Sequence, residues 1–203
     1  MRHRLAKILV GVALVGLGVT AHADTIYNEA SSGDFSNNGL TPTLLSIGAG
    51  SNVVLGTTGD SGQGVDRDYF SFTVPTGYVL SSVTLLSNTT ISGGSSFIGL
   101  QAGPQLTVAP TGAGAENLLG FAHYNSGQIG LDLMSLLAPG FPNGAPAGTY
   151  SAWVQELGGP VEYGFDFKVT PVPLPGAAIL LVSGFLGAAA ARRRKGRFGS
   201  PVS

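Results

Sequence analysis

The feature that most limits how this chain can fold is a strictly alternating segment towards its C-terminal end. Apolar side chains occupy every second position of this segment: Val161, Tyr163, Phe165, Phe167 and Val169. The side chains between them are polar or small. Because successive side chains of a β-strand point to opposite faces, the pattern predicts a strand with one buried and one solvated face. Such a strand needs a second apolar layer to pack against.

The chain between residues 24 and 170 has the pattern of short strands joined by turns throughout. Asp68 to Val74 also alternates, with Phe70, Phe72 and Val74 on one face. Further strand candidates are Asp24 to Ala30, Leu44 to Ile47, Asn52 to Leu55, Tyr78 to Leu86 and Gly148 to Glu156, and weaker ones are Phe97 to Leu100 and Leu118 to Tyr124. Glycine accounts for 32 of the 203 residues, and each costs about 1 kcal/mol in a helix relative to alanine. We therefore expect a mainly β domain over residues 24–170, an antiparallel jelly roll or β-sandwich.

Glycine-rich turns suggest which strands are neighbours. Gly48 to Gly50 predicts a hairpin-like turn between the second and third candidates, and Leu157 to Pro160 predicts a hairpin that joins the last two strands. In the strand from Tyr78, the side chains expected on one face are Val79, Val83 and Leu85. Thr170-Pro171 should close the domain, because proline cannot donate a hydrogen bond to a β-ladder.

The first 23 residues have the three-part order of a secretory signal peptide. A positive region is followed by an apolar region, Ile8 to Val19, and by the A-x-A cleavage site Ala21-His22-Ala23. The positive residues are Arg2, Arg4 and Lys7. An apolar run of 12 residues is too short for a membrane-spanning helix. We expect cleavage after Ala23 and export of the remainder.

A second processed segment is expected at residues 171–203. The motif Val172-Pro173-Leu174-Pro175 precedes 16 uncharged residues, Gly176 to Ala191, which would form a helix roughly 24 Å long. With Leu174 and snorkelling basic side chains, this predicts a single transmembrane helix over 174–191. A basic tail over 192–197 follows, in which Arg192, Arg193, Arg194 and Lys195 would remain on the cytoplasmic side. The alternative is an ordinary C-terminal membrane anchor.

Charge and cysteine content exclude several classes of function. The segment 24–171 contains two basic and 11 acidic residues, a formal charge of −9. A surface of this sign repels the phosphate backbone, so we expect no nucleic-acid partner. The chain has no cysteine, which excludes disulfides, thiolate metal sites and a cysteine nucleophile.

No catalytic motif accompanies these features, and we expect a protein that is not an enzyme. His123 is the only histidine after the predicted cleavage site, and it has no nucleophile motif beside it. Hydrolysis by a pair of carboxylates is left open by the sequence, because any two of the acidic residues could be paired. A secreted hydrolase is therefore the third hypothesis for function.

Two further groups are candidate binding residues. Asp60, Asp66 and Asp68 lie in or beside a glycine-rich loop, and carboxylate oxygens of this kind suit Ca²⁺. Arg67 opposes this clustering, and a solvated turn with Asp68 leading a strand is the favoured interpretation. Trp153 has polar neighbours, Ser151 and Gln155, so it would either stack on a sugar ring or be buried by a second layer.

The tail closely resembles the sorting segment of bacterial PEP-CTERM proteins, in its VPLPA-type variant. Val172, Pro173, Leu174 and Pro175 match the variant, whereas Gly176 stands where alanine is usual. The resemblance implies cleavage near the motif by an exosortase-type membrane enzyme. It also implies a transient stage at the inner membrane of a Gram-negative bacterium, and then delivery to the cell surface or the extracellular polysaccharide.

The middle of the chain resembles the bacterial pre-peptidase C-terminal domain. The matching segments are Asp66 to Phe72, Val74 to Gly77, Ala147 to Tyr150 and Tyr163 to Phe165. That family implies a small jelly-roll β-sandwich that is an accessory module and not a catalyst. We therefore expect an exported matrix or surface protein with a structural or adhesive role in exopolysaccharide or biofilm. The alternative is a carbohydrate-binding module of the same fold.

Overall fold

The computed structural model describes residues 23–91, 94–110 and 117–172. About half of these residues lie in strands, which are β1 (Ala23–Asn28), β2 (Thr43–Leu44), β3 (Gly50–Asp60), β4 (Val65–Val74), β5 (Tyr78–Leu85), β6 (Ser96–Ala102), β7 (Gly120–Tyr124), β8 (Gly148–Gln155) and β9 (Val161–Pro171). There are also two one-turn helices, α1 (Glu29–Ser32) and α2 (Met134–Leu137), and a 3-10 turn, Ser126–Gln128. The prediction of a mainly β, antiparallel fold is confirmed.

Two predicted segments fall outside the described residues. These are the signal peptide up to residue 22 and the transmembrane segment over 174–191 with its basic tail. Within the part of the chain that the structure describes, no helix has the length and apolar character needed to span a bilayer.

The strands form one curled sheet in the order β5-β9-β3-β4-β8-β6-β7, in which every neighbouring pair is antiparallel. β1 adds to β3 and β2 adds to β4, both in parallel. β3 and β4 pair only at their ends, through Gly59 with Asp66 and Asp60 with Val65. This corner divides the sheet into a first half (β1, β3, β9, β5) and a second half (β2, β4, β8, β6, β7).

Aromatic side chains from the two halves pack against each other in the core. Phe167 of β9 lies 5.8 Å from Phe70 and 5.3 Å from Phe72 of β4, measured between ring centroids. Phe165 lies 5.1 Å from Tyr124 of β7. All five side chains are almost completely buried. The alternation of β4 and β9 therefore predicted the inward faces correctly, since burial of these rings drives the two halves together.

The pairing predicted from the turns is wrong in both cases. β2 pairs with β4 and β3 with β9, so Gly48 to Gly50 does not close a hairpin. β8 pairs with β4 and β6, whereas β9 pairs with β3 and β5. The segment from Leu157 to Pro160 therefore crosses from the second half to the first. It crosses at the β3–β4 corner, where the Asp60 amide donates to the Gly158 carbonyl at 2.6 Å.

The predicted inward face of β5 is also partly wrong. Val83 and Leu85 are fully buried as expected, but Leu80 takes the inward position that was expected for Val79. An irregularity in the pairing with β9 falls between Leu80 and Ser82. Such a bulge adds one residue to the strand and reverses the facing of all residues before it.

Both ends of the described domain lie at one end of the sheet, which we call the terminal pole. Ala23, the first residue of β1, pairs with Ser51, and Ser51 pairs with Lys168 near the end of β9. β1 then runs parallel to β3 towards the opposite end, which we call the acidic pole because Glu29 and Asp68 lie there. At about 3.3 Å per residue, Glu29 is roughly 20 Å from Ala23.

Candidate functional site

A buried carboxylate lies at the acidic pole of the core. Asp68 is in β4 and shares the inward-facing parity of Phe70, Phe72 and Val74. Its side chain is completely buried, and neither carboxylate oxygen has a hydrogen-bond partner among the described residues. Burial of a carboxylate without a partner is costly, so a feature of this kind requires a proton or a ligand to compensate it. Asp68 therefore lies inside β4 and faces the core, whereas the favoured prediction placed it at the start of a strand that follows a solvated turn.

Two further carboxylates converge on Asp68. Oxygen atoms of Glu29, Asp34 and Asp68 all lie within 4.8 Å of one another. Exposure decreases across this cluster, since Asp34 is exposed, Glu29 is half-buried and Asp68 is buried. We refer to these three residues as the acidic cluster. It opens to solvent on the side of Asp34 and is closed by the core on the side of Asp68.

Local structure fixes the position of Glu29. β1 ends at Asn28, whose side-chain oxygen caps α1 by accepting from the Ala30 amide at 3.0 Å. One carboxylate oxygen of Glu29 accepts from the Phe35 amide at 3.0 Å, and the other accepts from the Thr57 amide in β3. Each carboxylate oxygen has a second lone pair, so these bonds orient Glu29 without exhausting its capacity to bind.

Asp34 is held in place by the residue that follows it. Phe35 is buried and stacks on Tyr27 at 4.3 Å, with Phe70 at 5.1 Å on its other side. The Tyr27 hydroxyl donates to the Gly33 carbonyl at 2.8 Å. The segment from Glu29 to Phe35, which we call the N-terminal loop, is thus fixed to the core on both sides of Asp34.

Tyr163 forms the floor of the acidic cluster. Its ring is completely buried in β9, and its hydroxyl, which lies next to Asp68, has no partner in full hydrogen-bond geometry. Space for this hydroxyl is provided by Gly56 of β3, because a Cβ at that position would collide with it. The site is therefore contributed by the N-terminal loop, by β4 in the second half and by β9 in the first.

The electrostatics of the cluster follow from burial and from like charge. Burial raises the pKa of Asp68 to about 9, and the nearby Glu29 adds to the rise, while the Tyr163 hydroxyl lowers it. Burial also raises the pKa of Glu29 to about 7, opposed by the amides of Phe35 and Thr57 and assisted by Asp34. Burial and the Asp34 charge raise the pKa of Asp66 as well. Positive charge at this position would lower all three pKa values.

This geometry suits ligation better than hydrolysis. A pair of carboxylates that hydrolyses a glycoside must flank an accessible bond of the substrate. Asp68 is completely buried, and both oxygens of Glu29 already accept amide hydrogen atoms. Three carboxylates around one point can instead hold a hard cation, or share protons among themselves.

The structure separates the three predicted aspartates. Asp60 is exposed and accepts from the Gly62 amide at 2.7 Å within the β3–β4 turn. Asp66 pairs opposite Gly59 and is half-buried. Of the three, only Asp68 belongs to the acidic cluster. Sequence reasoning missed Glu29 and Asp34, although the shared parity of Asp68 and Phe70 was a readable sign of an inward carboxylate.

Trp153 is buried, as one of the two sequence-based interpretations expected. It is 5% exposed and lies on the outer face of the second half, 4.6 Å from Phe97 and 6.0 Å from Tyr69 between ring centroids. Leu106, Val108 and Leu118 complete this cluster. Stacking of a sugar on Trp153 would require the covering residues to move.

Exposed aromatic rings lie next to Trp153 on the same face. Phe121 is 42% exposed on the edge strand β7 and stacks on Phe97 at 5.7 Å. His123, also exposed, presents its ring to Phe97 and Phe121 at 5.8 Å and 5.9 Å. We call Phe97, Phe121 and His123 the aromatic strip. His123 thus lies on an open surface, on the edge strand β7.

The predicted processing residues are described only at the domain boundary. Ala23 begins β1, and Val172 is 47% exposed with its amide donating to the Gly77 carbonyl at 2.8 Å. Ala21, the motif from Pro173 to Pro175 and the basic cluster lie outside the described residues.

Comparison with protein-family models, with curated proteins and with solved structures found no match for this chain. Inference about function therefore rests on the residues of the chain itself.

Proposed function

We propose that this chain is an exported, non-catalytic protein of the bacterial cell surface or extracellular matrix, with a structural or adhesive role. The observation that carries the proposal is the order of three segments in one sequence. A signal-like N-terminus precedes an acidic β domain, and the domain precedes a Val-Pro-Leu-Pro motif with an apolar run and a basic stop. The tail makes the chain a substrate for an exosortase-type enzyme that resides in the inner membrane.

The β domain suits an accessory role in a jelly-roll or β-sandwich arrangement. Support comes from the two halves of the sheet, whose aromatic rings face each other across the core. Further support comes from Asp66 to Phe72 and Ala147 to Tyr150, which carry part of the resemblance to the pre-peptidase C-terminal domain. They lie on the paired strands β4 and β8, where Phe72 is opposite Tyr150. A non-catalytic role is supported by the surroundings of His123, whose ring packs edge-on against Phe97 and Phe121.

Processing can be tested on the full chain in a Gram-negative host that contains an exosortase, and in the same host without it. We expect the secreted product to begin at Asp24 and to lack the residues beyond roughly Pro175, as measured by intact mass. In the host without the enzyme, the product should remain in the membrane fraction with its basic tail.

A matched pair of variants sharpens this experiment. Pro173→Ala alters the sorting motif and should block processing, whereas Pro171→Ala alters the exposed last residue of β9 and should not. Detection of Arg192 to Ser203 on the secreted protein would contradict the sorting proposal. Equal processing of both variants would contradict the role of the motif.

A second candidate function, binding of carbohydrate, is favoured by the aromatic strip. An exposed aromatic ring that is supported by a second ring offers a flat apolar surface for a sugar. Phe121 meets this description better than Trp153, because Phe121 is exposed. Affinity electrophoresis of the full chain in exopolysaccharide should show retardation that Phe121→Ala removes. Leu157→Ala, at an exposed position in the β8–β9 connection, is the matched control.

A further inference from the structure

We propose that Glu29, Asp34 and Asp68 bind a hard divalent cation of the calcium class, which fastens the N-terminal loop to β4. This site is distinct from the processing segments and the aromatic strip. It would exist whether or not the chain is sorted or binds a polysaccharide, so its test is independent of the proposed function.

Two observations point to a ligand. The first is the convergence of three carboxylates to within 4.8 Å. The second is the state of Asp68, a completely buried side chain whose two oxygens have no partner in full hydrogen-bond geometry among the described residues, and one of which faces the other carboxylates. The hydroxyl of Tyr163, also buried and without a partner, is next to the same point. An acidic turn on a protein surface would show the first observation but not the second.

The chemistry of the donors selects the class of cation. All candidate donors are oxygen atoms, and oxygen donors favour Ca²⁺ and Mg²⁺ over the softer transition metals. Ca²⁺ binds oxygens at about 2.3–2.6 Å, so two oxygens on opposite sides of one ion are at most about 5 Å apart. The separations in the acidic cluster lie within that limit. Water on the exposed side of Asp34 can complete the six to eight ligands that Ca²⁺ takes.

Glu29 is also held by neighbouring groups in the way that metal ligands commonly are. Glu29 is held by two backbone amides that come from different parts of the chain, Phe35 in the N-terminal loop and Thr57 in β3. Hydrogen bonds of this kind fix the direction of a ligating carboxylate before the ion arrives. These amides offset part of the cost of burying Glu29, and they make no contact with Asp68.

The position of the site gives the ion a structural consequence. Glu29 and Asp34 follow β1, which belongs to the first half of the sheet, whereas Asp68 belongs to β4 in the second half. An ion that binds all three residues would connect the two halves at the acidic pole. Unfolding would then expose the ligands and release the ion, so binding raises the stability of the folded state.

The proposal can be tested on the full chain, purified in a non-ionic detergent and freed of metal with a chelator. Titration with CaCl₂ at pH 7.5 should show one site with a dissociation constant of about 10⁻⁴–10⁻³ M, the range of extracellular modules. The Tm should rise by several degrees at 5 mM CaCl₂ and by less at 5 mM MgCl₂. Isothermal titration calorimetry and thermal unfolding followed by the fluorescence of Trp153 measure these effects.

Matched substitutions place the ion at the acidic cluster. Asp68→Asn keeps the size of the side chain and should weaken Ca²⁺ binding at least tenfold. Asp60→Asn removes an acid from the β3–β4 turn, outside the cluster, and should leave binding unchanged. Far-ultraviolet circular dichroism verifies that both variants are folded.

Three results would overturn the proposal. The first is the absence of both heat and a Tm shift at 10 mM CaCl₂ in the unsubstituted chain. The second is equal Ca²⁺ affinity in Asp68→Asn and the unsubstituted chain, which would mean that the cluster only shares protons. The third is a response to MgCl₂ that equals or exceeds the response to CaCl₂, which would contradict the calcium class.

Discussion

The two poles of the sheet each bury a polar side chain, and they treat it in opposite ways. At the terminal pole, Asn52 accepts from the Gly48 amide at 2.8 Å and donates to the carbonyls of Gly48 at 2.9 Å and Phe167 at 2.9 Å. At the acidic pole, Asp68 is equally buried but has no hydrogen-bond partner among the described residues. A buried polar group with all its partners stabilises the fold, whereas one without partners indicates a missing proton or ligand.

The comparison predicts the largest effect at the terminal pole. Asn52→Ala leaves the buried Phe167 carbonyl without its side-chain partner, at a cost of about 1–3 kcal/mol, and it removes the two bonds that hold the exposed Gly48 backbone. We expect the free energy of unfolding to fall by about 2–4 kcal/mol in urea titrations followed by Trp153 fluorescence. Asn38→Ala, in an exposed loop where Asn38 bonds only locally, is the control and should cost less than about 1 kcal/mol. Equal losses in the two variants would contradict the structural role of Asn52.

The next effect is a dependence on pH that arises at the acidic pole in the absence of metal. The folded state raises the pKa of Asp68 to about 9 and of Glu29 to about 7. The folded protein therefore binds more protons than the unfolded chain between about pH 4 and pH 9, and its stability falls as pH rises through this window. Other ionisable groups near Asp68 are Tyr27, Asp34, Asp66, Tyr124 and Tyr163.

In the presence of EDTA, we expect a loss of at least about 2 kcal/mol between pH 5.5 and pH 8.5, because each extra proton bound by the folded state changes the stability by about 1.4 kcal/mol per pH unit. For a domain of this size that corresponds to a Tm lower by about 4–8 °C. Excess CaCl₂ at pH 8.5 should restore most of the loss, because the ion stabilises the ionised carboxylates. A Tm that rises with pH in EDTA would show that Asp68 is compensated by a group other than a proton.

A smaller effect is expected from Gly56, which leaves space for the Tyr163 hydroxyl below Asp68. Gly56→Ala introduces a Cβ that collides with that hydroxyl, so the ring must shift. Overpacking of this kind typically costs about 1–3 kcal/mol, and Ca²⁺ affinity should fall as the floor of the cluster moves. Gly48→Ala, where a Cβ would meet no atom within 4 Å, is the matched control. If Gly56→Ala left the stability and the Ca²⁺ affinity unchanged, Tyr163 would not be part of the site.

The smallest expected effect has the opposite sign. Asp68→Asn removes the cost of keeping Asp68 protonated at pH 8.5, which is far above its pKa in the unfolded chain, so the metal-free protein should gain about 1 kcal/mol or more. The dependence on pH should weaken in parallel, which thermal unfolding in EDTA at both pH values measures. If Asp68→Asn lowered the free energy of unfolding by as much as Asn52→Ala does, the two buried polar side chains would have the same structural role, and the proposed difference between the poles would be wrong.

Sequence patterns predicted the inward faces of this fold better than its pairing. The alternation in β9 and β4 identified Phe167 and Phe70 as core residues, because side-chain period is a local property of a strand. The turn after β8 was read as a hairpin, since glycine and proline report only that the chain reverses. They do not report that both strands already have two partners elsewhere. The bulge after Leu80 escaped prediction for the same reason, because it depends on the register with β9.

Only one of the three residues of the acidic cluster could be recognised from the sequence as facing inward. Asp68 shares the parity of Phe70, which marks it as inward. Glu29 and Asp34, however, lie more than 30 positions earlier in the chain. They reach Asp68 because β1 pairs in parallel with β3 and the N-terminal loop then packs Phe35 against Phe70. Parallel pairing requires a long connection, and no local pattern reveals where such a connection returns.

The hydrogen bond between the Val172 amide and the Gly77 carbonyl has a consequence for access. Val172, the first residue of the proposed sorting motif, is hydrogen-bonded to the residue that precedes the edge strand β5. An extended chain spans at most about 3.6 Å per residue, so Pro175 lies no more than about 11 Å from Val172. In the proposed precursor there is thus almost no spacer between the folded sheet and the bilayer. A processing enzyme would have to reach the motif between the bilayer and the loop that carries Gly77. Otherwise Val172 would have to detach from Gly77 first.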